Sequence, residues 1–330
     1  SLLSSRVVSR AMLRLFLALI LFIGGSATTD DKSAAFLHSR ESTLPVTRLT
    51  LTKPYGQFWT HWNVQGKVAS TNNEIRLTPA VRGVSGAIWS KTPLAMKAFG
   101  LETDFRLASK DGLHADGAAI WFVDQPSNGT AYGVSSNFRG IGIVLDTFQN
   151  LDYGGKSFIG IIASDGTTAH NMHNNGKDVS LGKCNVPGMV KVDKYRKQFA
   201  ETISVYVEYL GSIIRVFYKY PGGEWAYCDD AEVHIPLNFV LGVSAATGEL
   251  SSRHELIAVR VFEITEPSFV AAVGPDELRF VKTKIAPEST INNDLATGLF
   301  VFGVGLVAIV LLVAAILYWD YYYNDDRLFT

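Results

Sequence analysis

Helical periodicity is almost absent between Thr43 and Glu266, which argues against a helical fold for the body of this chain. A charge excess is missing too. Thirty Lys and Arg stand against 31 Asp and Glu, so nothing suggests a nucleic-acid partner. Sustained heptads are lacking before the C-terminal apolar run, which excludes a coiled-coil oligomerisation module there. No internal repeat is present. Cysteine is nearly absent, with only Cys184 and Cys228.

The two ends carry the long apolar runs. Arg10 and Arg14 precede Leu15 to Ile23, and Gly24, Gly25, Ser26 and Ala27 follow. That order is a signal peptide over residues 1–27, with Met12 as the expected start, and its apolar part is too short to span a bilayer. From Leu295 to Trp319 no residue is charged, and about 25 apolar positions suffice to cross the hydrocarbon with some tilt. Tyr318, Trp319 and Tyr321 to Tyr323 gather where amphipathic rings favour the membrane interface. The expectation is a single-pass type I protein: an N-terminal segment at 28–43, a lumenal domain at 44–266, a stalk at 267–294, a transmembrane helix at 295–319 and a cytosolic tail at 320–330. In an oxidising lumen an even pair of cysteines reads as one disulfide, with two free thiols as the alternative. Closing a loop of about 45 residues would stabilise the fold by about 4 kcal/mol on the chain-entropy model. The lumenal address also makes Asn128-Gly129-Thr130 an expected N-glycosylation site at Asn128.

Inside the lumenal part, short runs rich in Val, Ile, Phe, Tyr and Trp alternate with Gly, Pro, Asn and Asp. They predict strands at 74–77, 86–89, 101–107, 118–123, 141–146, 157–162, 203–209, 213–218, 240–246 and 256–263. Leu210, Gly211 and Ser212 read as a hairpin turn. So many strands imply an all-β sandwich of two antiparallel sheets.

The stretch from His114 to Asn150 is the most informative. His114-Ala115-Asp116-Gly117 enters one apolar strand, and Asp146-Thr147-Phe148-Gln149-Asn150 ends another. Asp146, the Phe148 carbonyl and Asn150 are alternating oxygen donors of the kind Ca²⁺ takes. Asp and Asn also end strands because they make turns, so spacing alone leaves both readings open.

The residues from about Leu51 to Ile264 resemble the leguminous-type lectins of the secretory pathway, membrane-bound mannose lectins that cycle between endoplasmic reticulum and Golgi. Carrying the resemblance are Lys53-Pro54-Tyr55, Ile75-Arg76-Leu77-Thr78-Pro79, Gly86-Ala87-Ile88-Trp89, Ala115-Asp116-Gly117, Ile120-Trp121-Phe122 and Leu145 to Asn150. Glu224-Trp225 with Cys228, and Ser244 to Leu250, extend it. The resemblance implies a concanavalin-like jelly-roll sandwich, a Cys184–Cys228 disulfide and a cis peptide before Asp116. It implies Ca²⁺ held by Asp146, Phe148, Asn150 and Asn175. Sugar would be bound by Asp116, Asn150, His173 and the Gly248-Glu249-Leu250 loop. It implies high-mannose N-glycans of cargo glycoproteins as ligands, coat proteins as partners of the tail, and residence in the endoplasmic reticulum, the intermediate compartment and the Golgi.

The sequence departs from that family at specific positions. Ala87 stands where the family commonly has Ser. The family pattern Tyr-Asp-His, two residues, Asp-Gly falls on His170 to Gly176. Its sugar-binding His then falls on Met172, with His173 reached by a one-residue slip, and its Ca²⁺-binding Asp falls on Asn175. An amide there removes a negative charge from the metal site. Two other functions compete with a cargo-receptor lectin. One is an adaptor with a decayed sugar site that binds partners by protein surfaces. The other is a glycoside hydrolase on the same architecture, which needs two carboxylates across the scissile bond. No strand offers closely spaced inward acids, and Glu208 and Glu263 lie alone in apolar runs, so no enzyme is expected.

Overall fold

A computed structural model describes residues 43–56, 58–109, 114–148, 157–192, 202–265, 277–282 and 312–316. Among them ten strands form one sheet and seven another. The larger sheet runs Arg279–Phe280, Ala226–His234, Ile213–Lys219, Ile203–Tyr209, Phe99–Ser109, Arg253–Ile264, Ile75–Thr78, Ala69–Ser70, with Thr43–Pro45 and Lys191–Val192 paired off this path. The smaller runs Ser180–Asn185, Phe158–Asp165, Arg139–Asp146, Gly117–Val123, Val240–Ala246, Ser85–Pro93, Trp62–Gly66. Every pairing is antiparallel except that of Lys191–Val192 with Phe99–Ser109.

Alternation explains how the two sheets close on each other. In Ile203–Tyr209 the inward set Ile203, Val205, Val207 and Tyr209 joins one core with Leu101, Phe105 and Val259. Gly117–Val123 is buried at every position. Ala118, Ile120 and Phe122 face that same core, whereas Ala119, Trp121 and Val123 face a second cluster on the sheet's other side. The second cluster exists because the 124–138 loop lays Tyr132, Val134 and Phe138 across the sheet. A strand covered on both faces reads as a continuous apolar run.

The sequence-derived strands at 203–209 and 240–246 have the observed bounds, and the other eight are offset or lengthened at their ends. The hairpin at Leu210 to Ser212 forms, with Gly211 at φ 81° and the Leu210 amide donating to Ile213 at 3.0 Å. Cys184 and Cys228 are bonded, with Cα atoms 5.2 Å apart, tying an edge strand of the smaller sheet to the larger. Within the span expected as stalk, Arg279–Phe280 pairs with the end of Ala226–His234. The expected signal peptide at 1–27, the segment at 28–42 and the tail at 320–330 lie outside the described residues. So does most of 295–319, where only 312–316 is described, as helix. Among the described residues no helix is long and apolar enough to cross a membrane.

Glu208 and Glu263 are not paired acids of a cleft. Glu208 is fully buried and meets Arg215 at 3.2 Å, and Glu263 is exposed.

His254 shows how burial couples this fold to pH. It is fully buried on Arg253–Ile264, its Nδ1 2.6 Å from the Thr78 hydroxyl. Burial, and then the neighbouring His114 charge, lower its pKa to about 3. The unfolded chain therefore binds a proton that the fold refuses, so stability is full above about pH 6.5 and falls as the medium is acidified toward pH 3. From pH 7 to pH 5 this group should cost about 2 kcal/mol. Urea midpoints at the two pH values should fall less for His254→Gln than for the parent. Equal falls would remove His254 as the cause.

Candidate functional site

One row of residues crosses the end of the smaller sheet. Phe158 pairs with Asp146, Asp146 with Gly117, Gly117 with Ala246, and Ala246 with Ser85. Side chains on neighbouring strands of one row share a face. Here it is the outer face, because Val144, Ala119, Ser244 and Ala87, two residues along each strand, lie on that side.

Asp116 stands just before this row, ahead of Gly117, and follows a cis peptide after Ala115. Its amide donates to Ala246 at 3.1 Å, and its carbonyl accepts from the Thr147 amide at 2.9 Å and the Thr147 hydroxyl at 3.0 Å. Gly117 has φ 152°, and a Cβ there would sit 2.1 Å from the Leu145 carbonyl oxygen, so only glycine fits. The Thr247–Leu250 loop then closes against Asp116. A Cβ on Gly248 would lie 2.9 Å from Asp116 Oδ1. The loop is tied from behind. The Gly83 amide donates to the Gly248 carbonyl at 3.0 Å, and the Thr247 hydroxyl donates to Val81 at 2.6 Å.

Asp146 is 1 % exposed. Its Oδ2 accepts from the Tyr132 hydroxyl at 2.6 Å and its Oδ1 from the Phe148 amide at 2.7 Å. Burial raises its pKa to about 7 despite these donors, and the Asp116 charge pushes the same way. Burial also raises that of Asp116. Two desolvated carboxylates that repel each other make a place where a cation is favoured. The oxygens at this sheet end, the Asp146 carboxylate and the backbone carbonyl of Phe148, are of the hard kind. No three His, Cys, Asp or Glu side chains gather around one point among the described residues. An oxygen set with few charges fits Ca²⁺ better than a transition metal.

The second side of the site is the loop at 170–179. His170 is 4 % exposed, stands edge-on to Tyr132 with centroids 5.5 Å apart, and hydrogen-bonds through neither ring nitrogen. Burial lowers its pKa to about 4. A Cβ on Gly176 would lie 2.4 Å from its Nε2. His170 thus fills the space between Tyr132 and the turn in which Asn175, buried and left-handed at φ 55°, precedes Gly176. Met172 packs against the outer-face cluster, whereas His173 is exposed.

Asp116, Asp146, Phe148 and Gly248 therefore meet at one sheet end. Asn175 is joined to this end only in steps: its neighbour Gly176 packs on His170, His170 on Tyr132, and Tyr132 bonds Asp146. Glu249 is exposed and Leu250 half-buried on the closing loop, and Ala87 is buried in the outer-face cluster. Asn150 lies outside the described residues. Asn128 is exposed. Sequence reasoning missed Tyr132. Its Ala-Tyr-Gly context signals only a turn, and nothing in it announces a bond to a carboxylate.

Tyr132→Phe removes the hydroxyl and leaves one oxygen of a buried carboxylate without its donor. The Ca²⁺-free protein should lose about 1.5–3 kcal/mol. Urea unfolding with chelator measures this. An unchanged midpoint would mean that the hydroxyl contributes nothing to holding Asp146.

A family model of the legume-like lectins matches residues 46–270. The human vesicular integral-membrane protein VIP36 is 28 % identical over 323 residues, covering 92 % of this chain and 84 % of VIP36. Protein ERGIC-53 of Chlorocebus aethiops is 28 % identical over 258 residues, covering 77 % of this chain and 49 % of its own length. Among solved structures, the VIP36 lumenal domain with Ca²⁺ and Man3GlcNAc bound matches with a TM-score of 0.61 at 26 % identity. That match covers 72 % of this chain and 99 % of the VIP36 chain. The match to the family model spans more than half of the sequence and takes in the smaller sheet, most of the larger one and both Asp116 and Asp146: the chain belongs to the legume-like lectin family.

Proposed function

We propose that this chain is a Ca²⁺-dependent receptor for mannose-rich glycans, carrying glycoproteins between endoplasmic reticulum and Golgi. The observation that carries the reading is the buried Asp146 carboxylate, held by the Tyr132 hydroxyl and the Phe148 amide, beside an Asp116 that follows a cis peptide and faces the Gly248 loop, in a chain similar to a lectin domain solved with Ca²⁺ and mannose oligosaccharide. The lectin family binds carbohydrate and is not enzymatic.

In this reading Asp146, the Phe148 carbonyl, Asn150 and Asn175 hold Ca²⁺. Bound there, Ca²⁺ supplies positive charge that keeps Asp146 ionised and fixes the surrounding oxygens. Asp116 accepts hydrogen bonds from sugar hydroxyls, and its orientation is set by Ala246 and Thr147. Asn150 contacts the sugar on its other side. Gly248, Glu249 and Leu250 close the site with backbone groups, and His173 belongs to its rim. A sugar offers many hydroxyls and little apolar surface, so recognition needs carboxylate and amide partners fixed in advance. The apolar run 295–319 is the membrane anchor, with the sandwich in the lumen and residues 320–330 facing the coat. The vesicular membrane protein VIP36 is similar over 92 % of this chain, which supports that arrangement.

One observation favours a second reading. Met172, on which the family's sugar-binding His falls when the sequences are aligned without a gap, packs against apolar side chains, as it would in an adaptor whose sugar site has decayed. Asn175→Asp separates the two. Restoring a charged ligand should tighten Ca²⁺ binding on the order of tenfold if Asn175 is a ligand. In the adaptor reading, calorimetry finds no Ca²⁺ binding in either form.

A further inference from the structure

We propose that Asn128 carries an N-linked, mannose-rich glycan that caps the chain's own sugar site and competes there with cargo. The inference rests on reading that site as a glycan site. Asn128-Gly129-Thr130 lies in a loop without helix or strand, and both Asn128 and Thr130 are exposed, so the acceptor is within reach of a transferase. Modification joins Asn128 Nδ2 to the C1 atom of an oligosaccharide as the bond from C1 to a lipid pyrophosphate donor breaks. The amide proton and the pyrophosphate leave, and nothing is oxidised or reduced.

The position of this loop is what makes the glycan consequential. Asn128 Oδ1 accepts from the Ser85 hydroxyl at 3.3 Å. Ser85 pairs with Ala246, and Ala246 with Gly117, the residue after Asp116. Two strand spacings, about 10 Å, thus separate Ser85 from the strand that Asp116 leads into, and the row shares one face.

The loop is also pinned. Ala131 and Val134 exchange amide bonds of 2.9 Å, and the Ser135 amide donates to the Ser127 hydroxyl at 3.2 Å. Four residues after Asn128, Tyr132 reaches under the sheet end to bond Asp146. A glycan rooted here starts beside the site and is of the chemical class the site takes. Tethering gives it an effective concentration in the millimolar range, and the share of sites it fills raises the apparent dissociation constant for free sugar.

The test uses the full-length chain made in a secretory host that leaves its glycans mannose-rich. Mass spectrometry of the peptide containing Asn128 reads occupancy. A mannose oligosaccharide is then titrated against the native glycoform, the same protein trimmed to one N-acetylglucosamine by endoglycosidase, and the Asn128→Gln and Thr130→Ala variants. The trimmed protein never has to refold, so it remains informative if a variant does not fold. Occupied Asn128 is expected, with the trimmed and unglycosylated forms binding at least about threefold more tightly at every protein concentration. An unmodified Asn128, equal affinities in all forms, or a difference that grows with protein concentration would overturn the cap. Failure of every form to bind sugar would instead bring down the glycan-site reading and the cap with it.

Discussion

Asp116→Ala should lower affinity for mannose oligosaccharides about tenfold to a hundredfold and leave the sandwich folded. A carboxylate accepting from a sugar hydroxyl contributes about 1.5–3 kcal/mol per charge-assisted bond, which converts to that range. Its side chain has little structural work. The bonds that fix this segment run through the Asp116 amide and carbonyl, to Ala246 and Thr147, and survive removal of the carboxyl group. Burial without a cation also raises the pKa of Asp116, so the carboxylate is held in the fold at some cost. A purely structural Asp116 would show the reverse pattern. The variant would then unfold more easily and, per folded molecule, bind sugar like the parent. Calorimetric titration with parallel urea unfolding reads both quantities.

Asp146→Asn should abolish most Ca²⁺ binding and leave the Ca²⁺-free protein as stable as the parent or more so. Asp146 is the one carboxylate in the described ligand set, and loss of its charge should weaken Ca²⁺ on the order of a hundredfold. In the Ca²⁺-free fold, by contrast, a carboxyl with pKa near 7 is strained by desolvation. An amide of the same shape escapes that cost, and the Tyr132 hydroxyl can turn to accept from it. The two halves have opposite signs, which separates a metal ligand from a structural acid. The pH dependence follows from the same shift. A group whose folded pKa is raised above its unfolded value stabilises the Ca²⁺-free fold at low pH, and the contribution is lost as pH rises through about 7. With saturating Ca²⁺ that loss should disappear from the parent, and it should be absent from Asp146→Asn under both conditions. Thermal unfolding with and without chelator at pH 5.5 and 7.5 measures it.

Much of this was legible in the sequence because strand patterning is local. Ile203–Tyr209 alternates cleanly, and its bounds coincide with the structure. Gly117–Val123 could be read as a strand but not as one covered on both faces, since its cover comes from Tyr132, Val134 and Phe138 in a loop. Trp62–Gly66 and Ser180–Asn185, edge strands with mixed composition, left no periodic trace. Ala226–His234 was missed for a similar reason, its Asp229 and Asp230 breaking the apolar pattern. At the candidate site, the motifs of the sequence singled out Asp116 and Asp146, and the structure brings the two to one sheet end. The bond from Tyr132 to Asp146 was not, because it joins a turn to a strand end by a side chain alone. The His254–Thr78 pair was hidden for the same reason, spanning 176 positions of sequence. Asn128 could be read as an acceptor but not as a neighbour of the site, a fact that depends on the order of four strands.

The central claim is that Asp116 and Asp146 form a Ca²⁺-dependent site for mannose-rich glycans. Its most direct test is titration of the folded full-length chain, trimmed at Asn128, with a mannose oligosaccharide in Ca²⁺ and again in chelator. The account predicts saturable binding in Ca²⁺ that is lost in chelator and restored when Ca²⁺ is returned. Binding that ignores chelator, or no binding in either condition, would contradict it.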